Sequence, residues 1–167
     1  VMNLPEWRDG LRKLERYQLL FELQIFPSQT ADGARLAHDF QCITVVLEHA
    51  GMLEDTSDDG RSRWRDGMEK LAACPNMNVK LSGLGTFAHA ATVDVMQQTV
   101  LETVRIFGAH RCLFGSNFPI EKLWTDYASL YRAFRSTISS LNVDEQVMIF
   151  TTQPPAFTAY DKFVAPA

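Results

Sequence analysis

Cysteine is scarce in this chain: its 167 residues include three, Cys42, Cys74 and Cys112. An odd number of widely separated cysteines in apolar surroundings argues against a disulfide framework, and their spacing is not that of a structural zinc site. The sequence therefore predicts buried, reduced thiols in a cytoplasmic protein.

Long hydrophobic runs and clusters of positive charge are also missing. No apolar stretch reaches the roughly 18 residues that a membrane-spanning helix needs, and residues 1–14 lack the apolar core of a signal peptide. The formal net charge is −4 at pH 7, and no basic cluster marks a nucleic-acid surface. We therefore expect neither a membrane nor a nucleic acid as a partner. The glycine-rich phosphate loops of P-loop and Rossmann proteins are absent as well.

What the sequence does contain is a regular alternation of strand-like and helical segments. Apolar, β-branched runs predict strands at 19–26, 43–48, 78–81 and 111–116. Helical spacing of apolar residues predicts helices at 5–17, 30–40, 62–73, 92–107, 123–141, 144–150 and 155–160. Residues 52–60 are predicted to form an acidic loop. Such alternation is typical of parallel strands with helices outside the sheet.

The length of the chain limits the architectures that it can form. Residues 1–167 suffice for one domain, whereas an eight-stranded α/β barrel needs about 250 residues. Four strands fit either half of such a barrel or a small open sheet whose edges are capped by its own helices. Because the chain opens on Val1 and becomes helical within a few residues, we expect it to start inside a larger protein.

Three predicted strands end in polar residues followed by Gly or Pro. His49 precedes Ala50-Gly51, Ser82 precedes Gly83, and Ser116-Asn117 precede Phe118-Pro119. In parallel α/β folds the strand interior packs, while the carboxyl ends of the strands and the loops after them build the site. These residues are therefore the first candidates for chemistry.

The same segments resemble a known family. They read WRDGL at 7–11, FELQ at 21–24, VLEHAG at 46–51, CPN at 74–76, VKLSGL at 79–84 and CLFGSNFP at 112–119. In this order and spacing the chain resembles the C-terminal part of the amidohydrolase-2 family, TIM-barrel hydrolases that act with or without a metal. The lactonase-like branch, which acts on pyrone-dicarboxylates and sugar lactones, is the most similar. The resemblance implies a single domain that forms the C-terminal half of the barrel.

The chain departs from the family pattern at three places. The family opens with a His-x-His pair on its first strand, and no such pair occurs here. The family commonly has Asp where this chain has Asn117. Near the end, Gln153-Pro154-Pro155 replaces an Asn-Ala pair. The resemblance implies that the His-x-His pair and a general base come from strands outside this chain.

His49 and Asn117 are the predicted catalytic residues. The resemblance implies that His49 holds a divalent metal such as Zn or, without a metal, polarises a substrate carbonyl. A strand-end histidine that merely forms hydrogen bonds is the alternative. An amide cannot act as a base, so Asn117 would orient the water or the substrate; the alternative is an Asn that turns the chain before Pro119.

Four further residues are predicted to contact the substrate: Gln24, Ser82, His89 and Arg61. For Gln24 and Ser82 the alternative is a hydrogen bond to nearby backbone, and for Arg61 a solvated ion pair with Asp58 or Asp59. Glu22 and Lys80 are predicted to point into the barrel and to pair with each other, because buried charges need partners.

The predicted function is hydrolysis of a lactone or a related carboxylic ester of a small organic acid. Amide hydrolysis and aromatic-acid decarboxylation are alternatives on the same fold. A hypothesis of a different class is that the chain forms an incomplete half barrel and has no catalytic activity by itself. Its open strand edges would favour self-association, so we expect a homo-oligomer or a partner chain.

Overall fold

Four parallel strands form a single sheet. The computed structural model of the protein describes residues 1–151, and its strands are β1 (Phe21–Leu23), β2 (Val45–Leu47), β3 (Met77–Leu81) and β4 (Cys112–Phe114). Their order across the sheet is the order in the sequence, β1-β2-β3-β4. Val46 pairs with Glu22 on one side and with Asn78 on the other, and Lys80 pairs with Leu113. Because the strand order never reverses, the sheet is of the barrel type and not the doubly wound type.

Helices alternate with the strands. They are α1 (Pro5–Arg16), α2 (Thr30–Asp39), α3 (Asp58–Ala72), α4 (Val93–Phe107), α5 (Tyr127–Thr137) and α6 (Val143–Thr151). Each of α2, α3 and α4 packs against the next helix along the chain, and α6 lies against β4. Among the described residues, no helix combines the length and the apolarity that a bilayer crossing requires.

The core lies between one face of the sheet and the helices. Its strand residues alternate along the chain and are buried: Leu23, Val45, Leu47, Met77, Val79, Leu81 and Cys112. Trp64 and Met68 of α3 and Phe107 of α4 are fully enclosed against them. Alternation therefore directs the intervening residues, which include Glu22 and Lys80, to the opposite face.

The amino ends of the strands are fastened by two side chains. Nδ2 of Asn76 donates to carbonyls in the last turn of α2 and in the α2–β2 connection, those of Ala37, Phe40 and Ile43, at 2.9–3.1 Å. The Arg111 guanidinium donates to carbonyls at the ends of α3 and α4 and in the α3–β3 connection, those of Ala72, Phe107 and Cys74, at 2.8, 2.9 and 3.3 Å. Side-chain hydrogen bonds thus join the connection before β3 to the one before β2, and the connection before β4 to the one before β3.

The predicted elements are all present within residues 1–151, but β1, β2 and β4 are shorter than predicted and two helices differ in extent. The third helix starts at Asp58, because Ser57 caps it by accepting a hydrogen bond from the Gly60 amide at 3.1 Å. The predicted acidic loop therefore ends at Ser57. Acidic Asp58 and Asp59 suit the positive end of the helix dipole.

The predicted helix at 123–141 is divided into three pieces. A 3-10 turn, Ile120–Leu123, precedes α5, and a second one, Ile138–Ser140, follows it. Asp126 begins α5 by accepting a hydrogen bond from the Ser129 amide at 2.9 Å, which marks a new helix start. The predicted helix at 155–160 and the Gln153-Pro154-Pro155 departure lie outside the described residues.

The prediction that all three thiols are buried was also wrong. Cys112 is buried, Cys74 is half-buried and Cys42 is exposed. Cys42 follows Gln41 in the short connection after α2, outside the packed strand that begins at Val45.

Candidate active site

Left-handed backbone is concentrated at the carboxyl ends of the strands. Of the non-glycine residues with positive φ in residues 1–151, Gln18 alone lies elsewhere; the others are His49, Ala50, Met52, His89 and Asn117. Such a conformation costs about 1–2 kcal/mol per residue. Strained backbone that a fold retains is frequent at functional sites, so this edge of the sheet, here called the mouth, is the place to look for chemistry.

His49 and Ser82 form a hydrogen-bonded pair at the mouth. The ring Nδ1 of His49, just after β2, lies 2.8 Å from the Ser82 hydroxyl, just after β3. Ser82 is 3% exposed, so its hydroxyl is a fixed support for the ring. Ser82 thus bonds to a side chain, and the predicted bond to backbone was wrong.

Gly83 leaves the space that the His49 ring occupies. A Cβ at this position would lie 2.7 Å from His49 Nδ1, and its φ is +58°. Both the contact and the backbone conformation require glycine. The Ser82-Gly83 pair therefore holds the imidazole from two sides, and His49 Nε2 is the ring nitrogen left for a ligand.

The hydrogen bond also bears on the tautomer of His49. The Ser82 hydroxyl has no acceptor other than His49 Nδ1 among the described residues. A buried donor is rarely left without an acceptor, so donation from Ser82 to Nδ1 is favoured. In that neutral tautomer Nε2 carries the proton and can donate to a carbonyl oxygen.

A network of charges lies beneath this pair. Lys80 Nζ donates to Glu22 Oε1 at 2.5 Å and to Glu48 Oε1 at 2.6 Å, which confirms the predicted Glu22–Lys80 pair. The other oxygen of Glu48 lies 3.7 Å from His49 Nδ1, beyond hydrogen-bond distance. Burial alone would lower the pKa of Lys80, but the hydrogen bonds that it donates to both carboxylates raise the pKa above its usual value.

Asn117 lies after β4, where φ is +53°. Its Nδ2 donates to Glu121 Oε1 at 3.3 Å. Asn both accepts a left-handed conformation and presents a polar group, so the turning role and the site role are compatible. Ser116 accepts a hydrogen bond from the Phe118 amide at 3.3 Å.

Gln24 and Arg61 are not joined to the His49–Ser82 pair. Gln24 is exposed and forms no side-chain hydrogen bond within residues 1–151. Arg61, in the first turn of α3, has a buried Nη1 without a partner in the described part of the chain. The expected pairing of Arg61 with Asp58 or Asp59 is not observed; the ion pair of this region joins Arg63 to Asp55 at 2.8 Å.

His89 stacks on Trp124 in a loop at the mouth. The ring centroids are 4.4 Å apart and the planes are inclined by 7°. Its neighbour Phe87 borders a small cleft of about 30 Å³ together with His49 and Gly83. This loop thus forms one wall next to the imidazole.

Two glutamates of the mouth were missed by the sequence reading. Glu48 continues the alternation of β2, in which Val46 faces Asn78, so extending the parallel register by two residues would have placed it beside Lys80. Glu121 is 1% exposed, although it lies in a polar segment after Pro119. The signal in the sequence that could have identified Glu121 is its position four residues after Asn117.

The side chains at the mouth that could bind a metal ion fit the predicted divalent metal only in part. Within residues 1–151 no three His, Cys, Asp or Glu side chains approach closely enough to hold a metal ion. A catalytic zinc site uses three protein ligands, and the described residues offer such an ion one, Nε2 of His49.

Comparison with known proteins identifies the family. The model of the family described as Amidohydrolase matches residues 3–152. The chain belongs to the amidohydrolase family.

Two curated relatives are similar to this amidohydrolase chain. An uncharacterised protein of Sinorhizobium fredii, y4mH, is 34% identical over 94% of the chain and 52% of its own length. An L-fucono-1,5-lactonase of Burkholderia multivorans is 30% identical over 71% of the chain and 43% of its own length. The chain spans about half the length of the curated relatives it matches.

Solved structures confirm the barrel-type fold. An amidohydrolase from Burkholderia multivorans with bound zinc superposes with a TM-score of 0.83 at 23% identity, over 99% of this chain and 59% of that one. A 2,6-dihydroxybenzoate decarboxylase superposes with a TM-score of 0.60 at 18% identity, over 94% of this chain and 56% of that one. The four strands and their helices therefore correspond to about half of a TIM barrel.

Proposed function

We propose that the protein hydrolyses a lactone of a sugar acid or of a similar small organic acid. The observation that carries the proposal is the His49 imidazole, held by Ser82 at the mouth with Nε2 free for a ligand. The similarity to an L-fucono-1,5-lactonase supports the substrate class.

The chemistry follows from the two strand-end residues. His49 Nε2–H donates to the lactone carbonyl oxygen and stabilises the negative charge that develops there as water adds. Asn117 orients that water or the substrate through hydrogen bonds. The new C–O bond forms to the water oxygen, the ring C–O bond breaks, and the water proton ends on the departing ring oxygen. The product is the open-chain hydroxy acid.

A divalent metal in the full protein remains part of this proposal. A related structure contains zinc, and His49 Nε2 would be the ligand that this chain contributes, in the tautomer whose Nδ1–H donates to the Ser82 hydroxyl. Metal content and hydrolysis rate of the purified full-length gene product are both measured before and after dialysis against a chelator. Together they decide whether hydrolysis depends on the metal.

The test is an assay of the full-length gene product on a panel of substrates. The panel contains aldono-1,5-lactones, L-fucono-1,5-lactone among them, 2-pyrone-4,6-dicarboxylate and 2,6-dihydroxybenzoate. Lactone opening releases a proton, which a pH indicator records above the spontaneous rate. Decarboxylation of the benzoate without lactone opening would overturn the proposal.

Variants of two histidines connect the activity to the site. We expect His49→Ala to lower kcat/KM for the best lactone by about 100-fold or more, as expected when a transition-state donor is lost. His110→Ala is the matched control, because His110 is exposed at the opposite, amino end of β4. An unchanged His49→Ala enzyme would contradict the assigned role.

A further inference from the structure

Glu121 is a carboxylate enclosed by protein without a cationic partner. Its side chain is 1% exposed, and it forms no ion pair within the described residues. Oε1 accepts the hydrogen bond from Asn117 Nδ2 at 3.3 Å, while Oε2 has no hydrogen-bond partner in residues 1–151. Enclosing a carboxylate in this way is costly, which suggests a role beyond packing.

The contact selects one orientation of the Asn117 amide. Oε1 of Glu121 accepts the hydrogen bond from Nδ2, so the carboxylate holds the NH₂ edge of the amide and the carbonyl edge is turned away. Asn117 Oδ1 forms no hydrogen bond with any described residue, and the side chain is partly exposed. Without Glu121, the two edges would be interchangeable at this position.

We infer that Glu121 is a positioning residue that makes Asn117 a hydrogen-bond acceptor at the mouth. Oδ1 of Asn117 then receives a hydrogen bond from water or from a hydroxyl of the substrate. The role of this acceptor in lactone hydrolysis rests on the proposed function; the orientation of the amide does not.

The pair divides between two residues what one aspartate would supply. Asn117 provides the oxygen and Glu121 provides the acceptor that orients it. An aspartate at position 117 would instead place two carboxylates in contact, an arrangement in which one of them resists ionisation. Exchanging the amide and the carboxylate between the two positions should therefore preserve the site, and doubling the charge should damage it.

The surroundings of Glu121 connect it to the His49 support. It lines a cavity of about 10 Å³ together with Ser82 and Gly83, the two residues that hold the imidazole. On another side, Oε2 lies 3.1 Å from where a Cβ at Gly85 would be. Movement of this carboxylate is thus limited by the same loop that holds His49.

The test is a double-mutant cycle on the full-length protein with Glu121→Gln, Asn117→Asp and both together. A glutamine at position 121 can offer either amide edge to Asn117, so we expect Glu121→Gln to lower kcat about tenfold, or roughly 1.4 kcal/mol, with little change in KM. Asn117→Asp should lower kcat further. In the double variant the new amide at position 121 donates to the new carboxylate at position 117, and kcat should return to within a few-fold of wild type.

Glu69→Gln is the matched control, because Glu69 is exposed on α3, and its kinetics should equal those of wild type. If the two single losses simply multiply in the double variant, the positioning role is wrong. It is equally wrong if Glu121→Gln lowers the unfolding free energy but leaves kcat unchanged.

Two measurements without substrate separate this inference from the proposed function. Exchange of the Asn117 side-chain amide protons, followed by NMR, should be faster in Glu121→Gln than in wild type. Urea unfolding should show that Asn117→Asp is destabilised and that the double variant recovers. If no lactone is hydrolysed but both results hold, the proposed function fails and the oriented amide stands; if either result fails, the inference fails whatever the substrate.

Discussion

At the scale of single residues, the three cysteines show how strongly position controls reactivity. Cys112 begins β4 in the core, and burial raises the pKa of its thiol to about 12. Burial also raises the pKa of Cys74, against the opposing charge of Arg111. Cys42 is exposed. Because the thiolate is the reactive form, the three thiols should react at different rates.

We expect iodoacetamide at mildly alkaline pH to alkylate Cys42 first, Cys74 more slowly and Cys112 only after unfolding. Peptide mass spectrometry over time measures the three rates in one sample. Cys42→Ser should remove the fast phase and leave the others unchanged. Labelling of Cys112 in the folded protein at the rate of Cys42 would contradict the described core.

At the scale of elements, the start of α3 depends on Ser57. Its hydroxyl accepts the Gly60 amide, one of the helix donors that lack a partner within the helix. We expect Ser57→Ala to lower the free energy of unfolding by about 1 kcal/mol, measured by urea denaturation. Ser62→Ala, at an exposed position of the same helix, should be neutral; equal losses in both would argue against the cap.

The Glu22–Lys80–Glu48 network joins three strands and should make stability depend on alkaline pH. Against the lowering effect of burial, the hydrogen bonds that Lys80 donates to the two carboxylates raise its folded-state pKa above the usual value. Its contribution is therefore complete below the unfolded pKa and is lost as the pH rises through the folded pKa.

We expect Lys80→Met to destabilise the protein by roughly 1–3 kcal/mol near neutral pH, the scale of charge-assisted hydrogen bonds. The difference from wild type should shrink as the pH rises above the unperturbed lysine pKa of about 10.4 and through the raised pKa of Lys80. Urea unfolding at several pH values measures it. Lys70→Met, on the exposed side of α3, is the control, and a pH-independent difference for Lys80→Met would exclude the linkage.

At the scale of the whole molecule, the sequence pattern predicted the parallel sheet and its helices because apolar periodicity is local. It also predicted the Glu22–Lys80 pair, because strand alternation directs both side chains to the same face of the sheet. The His49–Ser82 bond joins residues 33 positions apart in the chain, and no local pattern encodes it. The burial of Glu121 likewise arises only when the loops after β3 and β4 pack together.

The sheet also leads to an expectation about assembly. The outer edges of β1 and β4 have no strand partner within residues 1–151, and unpaired edges promote association. We expect the 167-residue polypeptide alone to self-associate, and sedimentation velocity over a range of concentrations measures this. A strictly monomeric species at all concentrations would contradict the expectation.

The hydrogen bonds made by Asn76 and Arg111 determine where the loops of this fold can be lengthened or shortened. At the amino ends of the strands, the connections that lead into β3 and β4 each donate hydrogen bonds to carbonyls of the preceding strand–helix unit. An insertion in one of these connections therefore disturbs its neighbour as well, and a length change there is shared by two strand–helix units. Within the described residues, successive loops at the mouth are joined by the His49–Ser82 hydrogen bond and the His89–Trp124 stack, and changes of loop length beyond these residues should spare both contacts. Libraries of altered loop length belong at the mouth, where a new specificity can be selected while the opposite end keeps the strands in register.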